Sequence, residues 1–175
     1  MLFCILIIHK LSLNCKLISI TLSIIMKNNL GHIINGEIHH ESGASIDIFN
    51  PSNGKILSKI SNPSSKTIEK TLSSSQEAFE EWKGFSIAKR ASILFDYKIL
   101  LEKNIDKLAG IISKDLGKVH EDAVGEVRRG IENVEYACGI GEIIKGEFNK
   151  NISTSVDSWS EFYPLGTVLG VTPFN

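Results

Sequence analysis

Cysteine is scarce in this chain of 175 residues: Cys4, Cys15 and Cys138 form no CxxC pair and no Cys/His spacing of the kind that holds a metal. That excludes a disulfide framework and a structural zinc site, and it fits a reducing, cytoplasmic compartment. An excess of charge of either sign is missing too, with 19 basic against 20 acidic side chains and a net charge of -1. No broad basic field is available for nucleic acid and no acidic tail is present, so the expected partners are small molecules and protein surfaces. Long hydrophobic runs are also absent. Residues 2–8 and 17–25 are apolar but are separated by His9, Lys10 and Lys16, and each is shorter than the roughly 18 to 20 residues needed to span hydrocarbon. The lysines follow the first run and no A-x-A cleavage pattern appears, which argues against a secretory signal. Residues 1–25 therefore read as an extension outside any domain, with Met26 the natural start, and no membrane partner is expected. Finally, the chain has no GxGxxG after a strand, no GxxxxGK[ST], no HExxH and no Ser/His/Asp signature.

What is present begins with β-hairpin chemistry. Asn35-Gly36 separates two short apolar stretches, His32–Ile34 and Glu37–His39, and is a favoured two-residue turn because both positions tolerate positive φ. Ser45–Phe49 alternates polar and apolar residues, Asn50-Pro51-Ser52-Asn53-Gly54 supplies a turn, and residues 56–60 resume the strand pattern. Helical periodicity starts at Ser64 or Ser65, either one an N-cap, and places Ile68, Leu72, Phe79 and Trp82 on one face before Gly84. A second helix capped near Ser86 carries Leu94, Tyr97, Leu101, Ile105, Leu108 and Ile112 in one stripe until Gly117. A third, from about Glu121, turns Val124, Val127, Ile131, Val134 and Cys138 inward, so that Cys138 reads as a packed thiol with no local base to activate it. Gly125 and Gly130 each cost that helix about 1 kcal/mol, which points to close packing or a ligand beside them. Residues 152–162 are β-prone, and Pro164-Leu165-Gly166 turns into an apolar strand at 167–171. Helices leading into such a strand read as the entrance to an α/β domain.

Asp115-Leu116-Gly117-Lys118, Gly125-Glu126-Val127-Arg128-Arg129-Gly130 and Pro164-Leu165-Gly166 through Thr172-Pro173-Phe174-Asn175 together resemble the aldehyde dehydrogenase superfamily. Ile34-Asn35-Gly36-Glu37, Asn50-Pro51-Ser52-Asn53-Gly54 and Ile131-Glu132-Asn133-Val134-Glu135 strengthen the resemblance, which runs from about Leu30 to Asn175. Thr-Pro-Phe-Asn in place of Pro-Trp-Asn points to the CoA-acylating branch that acts on methylmalonate or malonate semialdehyde. The resemblance implies an α/β fold: an incomplete amino-terminal part of the aldehyde dehydrogenase fold, with residues 26–175 a partial NAD-binding domain that includes an oligomerisation segment at 152–163, and with the catalytic domain absent. It implies NAD as cofactor, CoA as co-substrate, a semialdehyde as substrate and a homo-oligomer as the assembly, in valine or myo-inositol catabolism.

Residue by residue, Asn175 matches the asparagine whose amide stabilises the thiohemiacetal oxyanion, a task suited to a donor aimed at charge that develops only in the transition state. Thr172 and Phe174 match positions that contact NAD, Thr172 mainly through its backbone. Arg129 matches the arginine that recognises the substrate carboxylate, for which a planar, bidentate guanidinium is fitted; its competing reading is a solvated ion pair, which suits Arg128 better. Lys118 is expected to contribute helix-end electrostatics only. Phe162 and Tyr163 stand where the family has an arginine before Pro-Leu-Gly, a departure that removes an ion pair or a subunit contact. The nucleophilic cysteine of the family has no counterpart in these residues, so the alternative to an enzyme is a catalytically inactive truncated product or an oligomerising interaction fragment.

Overall fold

The structure is a computed structural model that describes residues 29–173 and 175; the expected extension at 1–25 and the expected contact of Phe174 lie outside the described residues. Among the described residues seven strands and five helices follow one another: β1 (Asn29–Leu30), β2 (His32–Ile34), β3 (Glu37–His39), β4 (Ser45–Phe49), β5 (Ile56–Ser61), α1 (Ser65–Trp82), α2 (Ile87–Lys103), α3 (Ile105–Leu116), α4 (His120–Cys138), α5 (Ile140–Ile143), β6 (Phe148–Ser153) and β7 (Val156–Trp159). The α/β class expected from the sequence is borne out.

Local chemistry accounts for most boundaries. Asn35 and Gly36 adopt φ of 53° and 76°, and β2 and β3 pair antiparallel across them with Ile33 opposite Ile38. The turn after β4 closes on Asn50, whose carbonyl accepts from the Gly54 N–H at 2.8 Å and whose side chain accepts from the Ser52 N–H at 2.8 Å. β5 then runs antiparallel to β4 and parallel to β1. Ser64 caps α1 by accepting from the Thr67 N–H at 3.3 Å, and Ser86 caps α2 by accepting from the Lys89 N–H at 3.2 Å.

Four expectations are corrected. The apolar stripe from Leu94 to Ile112 is not one helix. It breaks at Asn104 (φ -120°, ψ 16°), whose side chain donates to the Leu100 carbonyl at 2.7 Å and so competes with continuation of the helix. An unbroken helix over 87–116 would be about 45 Å long, against about 28 Å for the 19 residues of α4. The break lets α2 and α3 both pack against α4. Secondly, Ile68 and Leu72 are 46% and 58% exposed, while Thr71 and Ser74 are buried. The Ser74 hydroxyl donates to the Asn35 side chain, which fixes the rotation of α1 through a polar contact at the first hairpin. Thirdly, Gly125 and Gly130 are not sites of close packing among the described residues, because a Cβ at either would meet nothing within 4 Å.

The fourth correction concerns the last part of the chain. The hairpin expected at 152–163 forms at 148–159, and residues 160–163 lie outside any strand. Residues 167–171 form no strand either, with Val168 and Leu169 77% and 75% exposed. An inner strand of a parallel sheet needs hydrogen-bonding neighbours, and no described strand pairs with this run. The core sits instead where α2 and α3 pack on α4, at Ala109, Ala123, Val127, Ile131 and Cys138, and Ile34 of β2 is buried as well. That arrangement matches the inward face expected for the third helix.

Candidate functional site

Of the expected site residues, Asn175 lies at the junction between α3 and α4. α3 ends at Gly117 with φ of 72°, and the Gly117 N–H donates to the Ser113 carbonyl at 2.9 Å. A Cβ at Gly117 would sit 3.0 Å from the Ser52 oxygen and 3.1 Å from Pro51, so both the backbone conformation and the approach of the 50–54 turn favour glycine. The chain re-enters a helix at His120, where Glu121 and Asp122 place negative charge in the first turn of α4. Pro51, Asp115, Leu116, Lys118, Val119, Asp122 and Asn175 line an open cavity of about 460 Å³ here.

Lys118 links the parts of this junction. Its ammonium donates to Glu126 on α4 at 2.5 Å and to the main-chain oxygen of Asn175 at 2.8 Å. Both side chains of the ion pair are largely covered, at 21% and 25% exposure, so solvent screens the pair less than an ordinary surface pair. The helix-end role expected for Lys118 is therefore only part of what it does: it joins α4 to the last residue of the chain. Periodicity carried no signal of this, because residues 118 and 175 are 57 positions apart.

The remaining candidates are spread along one helix and one exposed run. Arg129 is 80% exposed, and its Nε lies 3.3 Å from Glu132. Glu126 precedes it by three positions, about 4.5 Å along the axis and on a neighbouring flank of α4. The lysine-held carboxylate and the guanidinium thus belong to the same stretch of helix surface. Thr172 is exposed and lies outside any strand, and Asn175 is exposed as well. The run that carries them is anchored by Ser160, whose N–H donates to the Glu147 carbonyl at 2.9 Å, and by a 2.9 Å hydroxyl pair between Ser75 and Thr167. Phe162 and Tyr163, where the arginine is missing, are exposed, and the Tyr163 hydroxyl donates to Glu161.

Cys138 is buried near the carboxyl end of α4, twelve positions and about 18 Å along the helix from Glu126. Burial pushes its thiol above the usual range, Lys98 opposes that shift and Glu135 adds to it. These features fit the packed thiol read from the sequence.

Comparison with known proteins covers the same stretch. The family model described as "Aldehyde dehydrogenase family" matches residues 38–175. The malonate-semialdehyde dehydrogenase of Pseudomonas aeruginosa is 47% identical over 146 residues, which cover 83% of this chain and 29% of that protein. The crystal structure of methylmalonate-semialdehyde dehydrogenase from Oceanimonas doudoroffii superposes with a TM-score of 0.75 at 43% identity, covering 79% of this chain and 28% of that one. A Sinorhizobium meliloti 1021 structure, named provisionally as a methylmalonate-semialdehyde dehydrogenase and complexed with NAD, gives a TM-score of 0.75 at 30% identity over 81% of this chain and 29% of its own. The chain thus spans less than a third of the length of these relatives. Across that span the strands, the α3–α4 core and the motifs all agree with one assignment, and the chain belongs to the aldehyde dehydrogenase family.

Proposed function

We propose that this chain is the amino-terminal part of an NAD-dependent, CoA-acylating dehydrogenase that converts malonate or methylmalonate semialdehyde to acetyl-CoA or propionyl-CoA. The observation that carries the reading is the 47% identity over 146 residues with a malonate-semialdehyde dehydrogenase. Residues 26–175 are read as part of the NAD-binding domain, with the 148–159 hairpin as the segment that pairs subunits. Its exposed Phe148, Ile152, Val156 and Trp159 support that pairing.

In this reading a cysteine thiolate outside residues 1–175 attacks the aldehyde carbon, and the carbonyl π electrons move onto oxygen. The Asn175 amide donates to that oxyanion, an interaction stronger in the transition state than with the neutral carbonyl. Arg129 faces solvent with only an exposed i,i+3 partner, so its guanidinium can exchange Glu132 for a substrate carboxylate at little cost. Bound NAD supplies the hydride acceptor, and the exposed, strand-free backbone at Thr172 fits a contact through main-chain groups. Loss of hydride from the tetrahedral carbon lets the oxyanion re-form the carbonyl as a thioester; the bond between the α-carbon and the carboxylate then breaks to release carbon dioxide, its electron pair taking a proton at the α-carbon, and the CoA thiol, giving up its proton, displaces the cysteine thiolate to leave the acyl-CoA.

The test is a chimera in which this chain replaces the matched 146 residues of the Pseudomonas aeruginosa relative. It should reduce NAD with malonate or methylmalonate semialdehyde in the presence of CoA, and Asn175→Ala should lower kcat about 100- to 1000-fold. A chimera that folds and oxidises neither semialdehyde, or an Asn175→Ala variant with unchanged kcat, would refute the reading.

A further inference from the structure

We propose that Lys118 is a positioning residue for Asn175, setting the asparagine by holding its main-chain oxygen while Glu126 holds the lysine; the proposal rests on the oxyanion role given to Asn175 above.

The geometry is that of a relay with one fixed end. Glu126 is carried on α4, the helix that contributes most of the buried core, so its Cα has little freedom. Its carboxylate and the Lys118 ammonium meet at 2.5 Å in a largely covered position. A lysine ammonium has three donors, and a second is directed 2.8 Å onto the Asn175 main-chain oxygen. The lysine itself leaves Gly117, whose backbone is fixed by its left-handed conformation and by contact with Pro51 and Ser52. Both ends of the lysine side chain are therefore constrained, which reduces the rotamer entropy lost in forming the second bond.

Residue 175 needs such a hold. No described strand pairs with the run before it, and the nearest anchor upstream is the Ser75–Thr167 hydroxyl pair. An oxyanion donor works only if it is directed before the charge develops, and an exposed, unpaired backbone does not direct it. A charge-assisted bond to the residue's own carbonyl limits rotation of the segment from which the side-chain amide projects. Lys118 in this role touches neither substrate nor cofactor and acts wholly through Asn175.

The test uses the full chain, prepared both as it stands and extended by a Gly-Ser pair so that residue 175 carries no terminal charge. Two measurements are made on each: the backbone 15N order parameter at residue 175, and the through-hydrogen-bond NMR coupling between the Lys118 ammonium nitrogen and the residue-175 carbonyl carbon. We expect the coupling in both forms, and an order parameter that falls in Lys118→Met to below about 0.6, the flexible range. Lys118→Arg should retain most of the order, and Glu126→Gln should lose part of it. A residue 175 already in the flexible range in the unsubstituted chain would overturn the proposal, as would a coupling that disappears on extension, which would identify mere attraction to a chain end. Equal order parameters in Lys118→Met and Lys118→Arg would also overturn it. Should the tether be present while Asn175→Ala leaves the chimera's kcat unchanged, the functional reading fails and the contact stands; should the tether be absent while Asn175→Ala is inactive, the reverse holds.

Discussion

α4 and the run from 160 to 175 both carry regularly placed apolar side chains, yet they end in opposite environments. α4 buries Ala123, Val127, Ile131 and Cys138, whereas Leu165, Val168, Leu169 and Val171 stay exposed. The difference lies in where each type of backbone finds its hydrogen bonds. A helix completes its own ladder and needs only a neighbouring surface, which α2 and α3 provide. A strand must borrow half of its ladder from other segments, and no described strand offers it. Apolar pattern alone therefore marks a surface to be covered without saying what covers it.

The largest expected effect sharpens that contrast directly. Ile131→Ala removes a side chain only 7% exposed and should lower the stability of the chain by about 2 to 5 kcal/mol. Leu165→Ala, at a residue 95% exposed, should change it by less than about 0.5 kcal/mol. Denaturant midpoints measured at constant m-value decide the matter, and equal losses at the two positions would break the comparison.

An intermediate effect concerns function without stability. Arg129→Leu should leave the denaturation midpoint of the chain nearly unchanged, since the guanidinium is 80% exposed. In the chimera it should cut kcat/KM for the semialdehyde about tenfold more than for propionaldehyde, the loss expected for one charge-assisted contact. Equal losses with both aldehydes would return Arg129 to a structural role.

Much of the fold was legible because its signals are local. Asn35-Gly36, Ser64 and Ser86 each act within a few residues of themselves, and the structure uses all three as the sequence indicated. The break at Asn104 was not legible, since the apolar spacing from Leu101 through Ile105 to Leu108 continues across it undisturbed. The rotation of α1 was hidden for another reason: Ser74 reaches Asn35, 39 positions away, and hydroxyl groups do not register in an apolar pattern. At the candidate site, Asn175, Thr172, Phe174 and Arg129 were nominated by resemblance alone. Lys118 was missed in its bridging role because that role exists only once the chain has folded back on α4.

The smallest expected effect lies in the 148–159 hairpin. Asp157 accepts from Lys150 at 2.8 Å and from the Asn151 N–H at 3.0 Å, and these bonds, led by the lysine, hold its carboxyl below the usual carboxylate range. A lowered folded-state pKa favours the hairpin above the unfolded pKa, and that contribution is lost as pH falls through the folded value. Amide exchange in 148–159 should therefore accelerate, relative to its intrinsic pH dependence, only on the acid side of the ordinary Asp range. Asp157→Asn should remove that pH dependence and leave the α3–α4 amides unaffected. An identical acid response in the two proteins would assign it elsewhere.

The Lys118 contact also bears on the order in which the molecule assembles. The turns of α3 and α4 close over a few residues, whereas the bond to Asn175 spans 57 positions and closes a far larger loop. Loop-closure entropy grows with that separation, and long-range contacts are rewarded only after it has been met. The helical layer thus comes together without the candidate site, which is added last to a framework already standing. By the same reasoning the contact between Lys118 and Asn175 is among the first in this chain to open.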